Sequence, residues 1–159
     1  MDDVWVDGGP RLLAALPCED GAVSLAMDDG RVTFQRVFYE LYANGFPAGF
    51  ERMNVATIWM GGEEGRDYAV GARLSGPDGA ILAEAEMVYT AWPEPATSVL
   101  LVHFSSDGRA VLSLPAPGRY TVDVLLEGVP MQTLPVFVVE VEMGKPEESV
   151  KENDNDDEE

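Results

Sequence analysis

Hydrophobic and polar residues alternate with a period of two along much of this chain. Tyr68, Val70, Ala72 and Leu74 share one side of a run whose other side carries Gly71 and Arg73. Ile81, Ala83, Ala85, Met87 and Tyr89 line a second run opposite Glu84 and Glu86. The turn Gly76-Pro77-Asp78-Gly79 joins the two, so together they predict a hairpin. Tyr120, Val122, Val124 and Leu126 form the inner side of a third run, against Thr121 and Asp123. After Glu127-Gly128 the chain returns through Met131–Leu134, and Phe137, Val139 and Val141 then oppose Glu140 and Glu142. Antiparallel sheets with one wet face show this pattern, the acids taking the water side.

Three other runs are apolar on both faces: Arg31–Tyr42, Met53–Met60 and Thr97–Phe104. They read as central strands covered on both sides, or as strands with one face at an interface. Arg11–Leu16 allows a short helical turn or an edge strand. Between the runs stand Asp-Gly pairs at Asp7-Gly8, Asp20-Gly21, Asp29-Gly30, Asp78-Gly79 and Asp107-Gly108, with Glu-Gly at Glu64-Gly65 and Glu127-Gly128. Asp-Gly suits tight hairpins because both residues tolerate positive φ. This spacing predicts a sandwich or barrel rather than βαβ units, and the lack of a fixed-period repeat argues against a propeller or solenoid.

Composition sharpens the domain boundary. The chain has 159 residues and a formal net charge of −19. Residues 145–159 hold eight acids, two lysines and one apolar residue, Val150, too little to bury for independent folding. A disordered acidic tail is therefore expected there, following a single β-sandwich domain over residues 1–144. The domain itself carries 21 acids against eight arginines and no lysine. That balance argues against nucleic acid and against anionic membranes, both of which need a basic face. Partners, where there are any, should be basic proteins.

One cysteine, Cys18, excludes an intramolecular disulfide and fits a reducing cytoplasm. MDDVWVDGG has no basic or apolar segment of a secretory signal. The apolar stretches Val99–Phe104 and Val136–Val141 are too short for a spanning helix. A soluble cytoplasmic protein is the expectation.

Two segments carry a resemblance. One is RVFYELYANGFPAGFERMNVATIW, an aromatic strand running into a Gly-Phe-Pro loop and a new strand. The other is the closing hairpin PAPGRYTVDVLLEGVPMQTLPVFVVEV, with Pro-x-x-Gly-x-Tyr, a strand, an acidic-Gly turn and a strand. In this order the chain resembles an uncharacterised bacterial family of small β-sandwich proteins, a domain of unknown function, over roughly residues 30–141. The resemblance implies an immunoglobulin-like or similar Greek-key antiparallel sandwich, and no known activity.

Chemistry-bearing residues are sparse. His103 is the only histidine and stands in an apolar run, where a structural role is expected. Cys18 has no nucleophile signature around it, and no phosphate or dinucleotide loop occurs. One Cys and one His cannot supply a zinc site. Neither a catalytic set nor a cofactor is expected. Asp28, Asp29, Asp78 and Asp107 would form a calcium site only if their loops converge; turn geometry alone accounts for an Asp before Gly. Phe38, Tyr42, Phe46, Phe50 and Trp92 are the aromatic candidates for an interaction surface, the three phenylalanines also reading as a core plug. The expected function is a non-enzymatic protein-interaction or structural module. It would bind a protein partner or itself through one face of Arg31–Tyr42 or Thr97–Phe104, its acids and acidic tail favouring basic partners. The alternative is small-ligand, calcium or glycan binding at the end loops.

Overall fold

A computed structural model describes residues 8–20, 34–104 and 112–142. The described residues form strands and no helix. In chain order these are β1 (Pro10–Asp20), β2 (Gln35–Val37), β3 (Glu40–Ala43), β4 (Ala48–Phe50), β5 (Asn54–Gly61), β6 (Asp67–Ser75), β7 (Ile81–Thr90), β8 (Thr97–His103), β9 (Leu112–Leu114), β10 (Gly118–Leu126) and β11 (Val129–Glu140). One sheet has the order β2-β1-β5-β8, the other β3-β11-β10-β6-β7, and β4 pairs with β9 in a separate ribbon. All pairings are antiparallel except that of β3 with β11, which is parallel and makes the five-stranded sheet mixed. The fold is all-β.

The two sheets meet face to face over one apolar core. Val55, Trp59 and Val102 from the first sheet pack with Val70, Leu74, Tyr89, Tyr120, Val122 and Val124 from the second. Trp59 and Tyr89 bridge the sheets with ring centroids 6.3 Å apart. The polar atoms buried with them are satisfied: Trp59 Nε1 donates to Thr57 Oγ1 at 2.9 Å, and that hydroxyl donates to the Leu100 carbonyl at 3.0 Å. Tyr89 donates its hydroxyl proton to the Gly61 carbonyl at 2.9 Å. A buried group left without such a partner costs about 1–3 kcal/mol, so these bonds fix which rings lie inside.

The alternating runs become strands as expected. Tyr68, Val70, Ala72 and Leu74 of β6 are buried, as are Tyr120, Val122, Val124 and Leu126 of β10. The β10–β11 hairpin turns on Glu127 and Gly128 at φ 50° and 76°, the positive pair that a two-residue turn matching strand twist requires. Gly71 is needed for a different reason. A Cβ there would lie 2.8 Å from the Ala85 carbonyl oxygen of β7.

One open reading is settled and three change. Residues 11–16 take the strand alternative throughout, as part of β1. The run Arg31–Tyr42 does not form one strand: β2 joins the first sheet and β3 the second, the chain crossing over at Phe38 and Tyr39. Within it Leu41 of β3 is buried and Phe38 leans on the core, while Arg36 and Val37 of β2 are exposed. In β7, Leu74 pairs with Ala83 but Ser75 with Ile81, leaving Leu82 as the bulged residue. The bulge reverses the phase, so Leu82 packs on the core and Ile81 is exposed. In β11 the inner residues are Leu134, Val136 and Val138, and the outer ones are Phe137 and Val139, continued by Val141. Both sets are apolar, and the acids Glu140 and Glu142 fall where the strand leaves the core, so they do not mark its wet face.

Candidate interaction face

The parallel register of β3 and β11 sets Val139 beside Tyr42 and Phe137 beside Glu40. Side chains two residues apart on a strand share a face, so Tyr42, Phe137, Val139 and Val141 stand together on the outer side of the five-stranded sheet. They are 63%, 41%, 38% and 38% exposed. On the β10 side, the Arg119 guanidinium sits 6.0 Å from the centre of the Phe137 ring. Tyr42 donates its hydroxyl proton to Glu40 Oε2 at 2.6 Å. That hydrogen bond, together with the charge of Glu40, raises the Tyr42 pKa above its ordinary value, so the phenol keeps its proton. Glu40 stands on the same outer side and is exposed, without an ion-pair partner among the described residues; Glu140 and Glu142, also exposed and without one, fall on the other side of β11. Beyond the end of β3 the surface dips into a cleft of about 480 Å³ lined by Tyr42, Asn44, Pro47, Gly49 and Val141.

The aromatic candidates divide. Phe38, Phe46 and Phe50 are half-buried against the core, Phe38 and Phe50 meeting edge to face at 5.5 Å. Tyr42 and Trp92 are exposed, Trp92 at 58%. These two lie apart, since β3 is one terminal strand of the sheet and Trp92 follows β7, the other. Phe137, Val139 and Val141 were missed as surface residues. Their one visible signal was that β11 is apolar on both faces. On β8, Val99 and Leu101 face away from the core beside Ile58 and are half-buried.

Acidic and nucleophilic candidates do not assemble. Asp78 Oδ1 accepts the Ala80 N–H at 3.0 Å and so serves its own turn. Asp28, Asp29 and Asp107 lie outside the described residues, as does the acidic segment from residue 145. Among the described residues, no group of three or more His, Cys, Asp and Glu side chains is placed to hold a metal ion. His103 is exposed on the outer face of the first sheet, its Nδ1 2.8 Å from Asn54 Oδ1. Cys18 is buried.

At one end of the sandwich a second hollow, of about 510 Å³, is lined by Pro10, Tyr68, Leu126, Val129 and Met131, with Glu63, Arg66 and Glu127 at its margin. Arg66 lies over the Tyr68 ring at 4.9 Å and reaches Glu63 at 3.5 Å. Glu127 accepts the Ala69 N–H at 3.0 Å. No helix among the described residues is long and apolar enough to cross a membrane.

No curated protein matches this chain. A family model does, over residues 16–139, which takes in β2 to β10, parts of β1 and β11, and the exposed strip except Val141. The chain therefore belongs to the family of unknown function DUF6941.

Proposed function

We propose that this chain is a non-enzymatic protein-interaction module that docks its partner on the outer face of β3 and β11. The observation that carries this is the adjacency of Tyr42, Phe137, Val139 and Val141, large apolar side chains left open in one strip. Contiguous exposed apolar surface rimmed by polar groups marks interaction sites, and aromatic anchors dominate their energetics. The engagement of His103 by Asn54 and of Asp78 by its own turn supports a role without catalysis. A reducing, cytoplasmic setting fits the single buried thiol.

The finer fold reading, an immunoglobulin-like Greek-key sandwich, belongs to the same proposal. Tyr120 supports it by donating its hydroxyl proton to the Ala116 carbonyl four residues upstream, the arrangement of a tyrosine corner. Trp59, buried between the sheets, supports it as well.

The test is capture of partners from the cells that make the protein, using the full chain and Val139→Glu, with light scattering on each. Wild type should retain a partner, or a second copy, that Val139→Glu loses. A wild type that is strictly monomeric and retains nothing contradicts the reading. The second reading, a small ligand at the end loops, is favoured by the hollow beside Tyr68 and Met131, whose size suits a small molecule. Thermal melting with millimolar calcium and with a sugar panel checks it, and an unchanged melting temperature throughout removes it.

A further inference from the structure

We infer that the partner is a basic extended segment of another protein, and that it adds to the five-stranded sheet as a new strand alongside β3. This rests on the docking face proposed above and names its occupant. The hydrogen bonds of β3 decide which edge is open. Phe137 N–H donates to the Tyr39 carbonyl at 2.7 Å, and Val141 N–H donates to the Ala43 carbonyl at 2.8 Å. In a parallel ladder alternate residues bond to the same neighbour, so positions 39, 41 and 43 address β11. Glu40 and Tyr42 therefore direct their backbone N–H and C=O groups away from it. No described strand lies on that side, because β3 terminates the sheet. A strand edge of this kind pairs readily with another chain.

Other bare backbone in this sheet is blunted by proline or a bulge, and β3 has neither. The half of β11 that β3 does not reach carries Pro130 and Pro135, which have no N–H to offer. The β7 edge carries Glu84 and Glu86 and a bulge at Leu82. Glu40–Ala43 has neither proline, bulge nor lysine.

Charge selects the occupant. Glu40 lies on the open edge itself, exposed and unpaired to a cation among the described residues, in a chain of net charge −19. A strand with Lys or Arg facing Glu40 and apolar residues toward Tyr42 and Val139 answers both features. A second copy would instead bring another chain of net charge −19 to this edge. The cleft past Tyr42 receives a side chain of the incoming strand where β3 ends.

The test uses the full chain and a synthetic peptide in which Lys and Arg alternate with Val and Ile, its counterpart with Glu in place of the basic residues serving as control. Fluorescence anisotropy should show saturable binding of the basic peptide alone. Amide hydrogen exchange should show new protection at Glu40 and Tyr42. Glu40→Lys should weaken binding by about tenfold, the scale of one lost charge pair. Tyr42→Pro, which removes an edge N–H without touching the β11 ladder, should weaken it similarly with unchanged circular dichroism. Binding that leaves Glu40 and Tyr42 unprotected overturns the inference, as does no binding at all. Protection of Glu40 and Tyr42 by self-association without peptide overturns it in favour of a second copy. If Val139→Glu abolishes partner capture while these edge amides stay unprotected, the docking face stands and strand addition fails.

Discussion

The five-stranded sheet ends in two unlike edges. At β7 the chain is long and anchored: Tyr89 is 1% exposed with its hydroxyl on the Gly61 carbonyl, and Glu84 accepts from Arg73 Nε at 2.7 Å. At β3 the strand is four residues long, and its tyrosine, Tyr42, points outward beside Phe137 and Val139. One tyrosine ties its edge to the core; the other covers nothing. Edges left bare invite pairing, and proteins ordinarily block them with short strands, charge, proline or bulges. The β3 edge is short and carries Glu40 but has neither proline nor bulge, so a strand of opposite charge is the one it admits.

That contrast has measurable consequences, the largest at β7. Tyr89→Ala should lower unfolding stability by about 3–5 kcal/mol, the range for deleting a buried aromatic. Denaturant titration checks this, and a loss below about 1 kcal/mol would mean the β7 edge is not anchored through Tyr89. Gly71→Ala, which pushes a methyl group against the Ala85 carbonyl, should cost about 1–3 kcal/mol by prising β7 from β6. A melting temperature equal to wild type would contradict that close approach.

Tyr89→Phe should cost about 1 kcal/mol, one hydrogen bond, and should change the alkaline limb of stability. Burial raises the pKa of Tyr89, with a further push from Tyr68. Burial also raises that of Tyr120, against a lowering hydrogen bond with Ala116 and with Asp78 adding to the rise. Folded values above the ordinary 10.0 mean that the unfolded chain loses its protons first. The stabilisation is therefore full below that pH and is lost as pH climbs through the folded values. Unfolding monitored by tyrosinate absorbance should show this decline, smaller in Tyr89→Phe. The least effect belongs to the open edge. Tyr42→Ala should shift stability by less than about 0.5 kcal/mol while reducing partner capture, and a large loss of stability would mean Tyr42 is structural.

Much of the fold was legible in the sequence, because β6 and β10 alternate cleanly and Glu127-Gly128 and Gly76–Gly79 can only turn. The failures came where alternation was ambiguous. In β11 both faces are apolar, so only the partner across the core decides that Val136 and Val138 go in and Phe137 and Val139 stay out. In β7 one bulged residue, Leu82, reverses the phase and exposes Ile81, and nothing local announces it. Residues 31–42 read as one run because the link between β2 and β3 is itself aromatic, Phe38 and Tyr39, and shows no break where the chain changes sheets. The candidate site suffered from the same limit. Tyr42 was named with Phe38, Phe46 and Phe50, and composition cannot separate an exposed aromatic from three that lean on the core. Phe137, Val139 and Val141 were out of view until the face of β11 was known.

The central claim, that the face at β3 and β11 is the docking surface, is open to one direct measurement. Tyr42 and Val88 are matched in exposure, 63% and 62%, and sit on the opposite terminal strands. A photo-cross-linking phenylalanine analogue placed at either position, in the full chain and in an extract of the cells that make it, samples the two edges equally. The account predicts a discrete adduct from position 42 and none from position 88. Adducts from position 88 alone, or the same adducts from both, would contradict it.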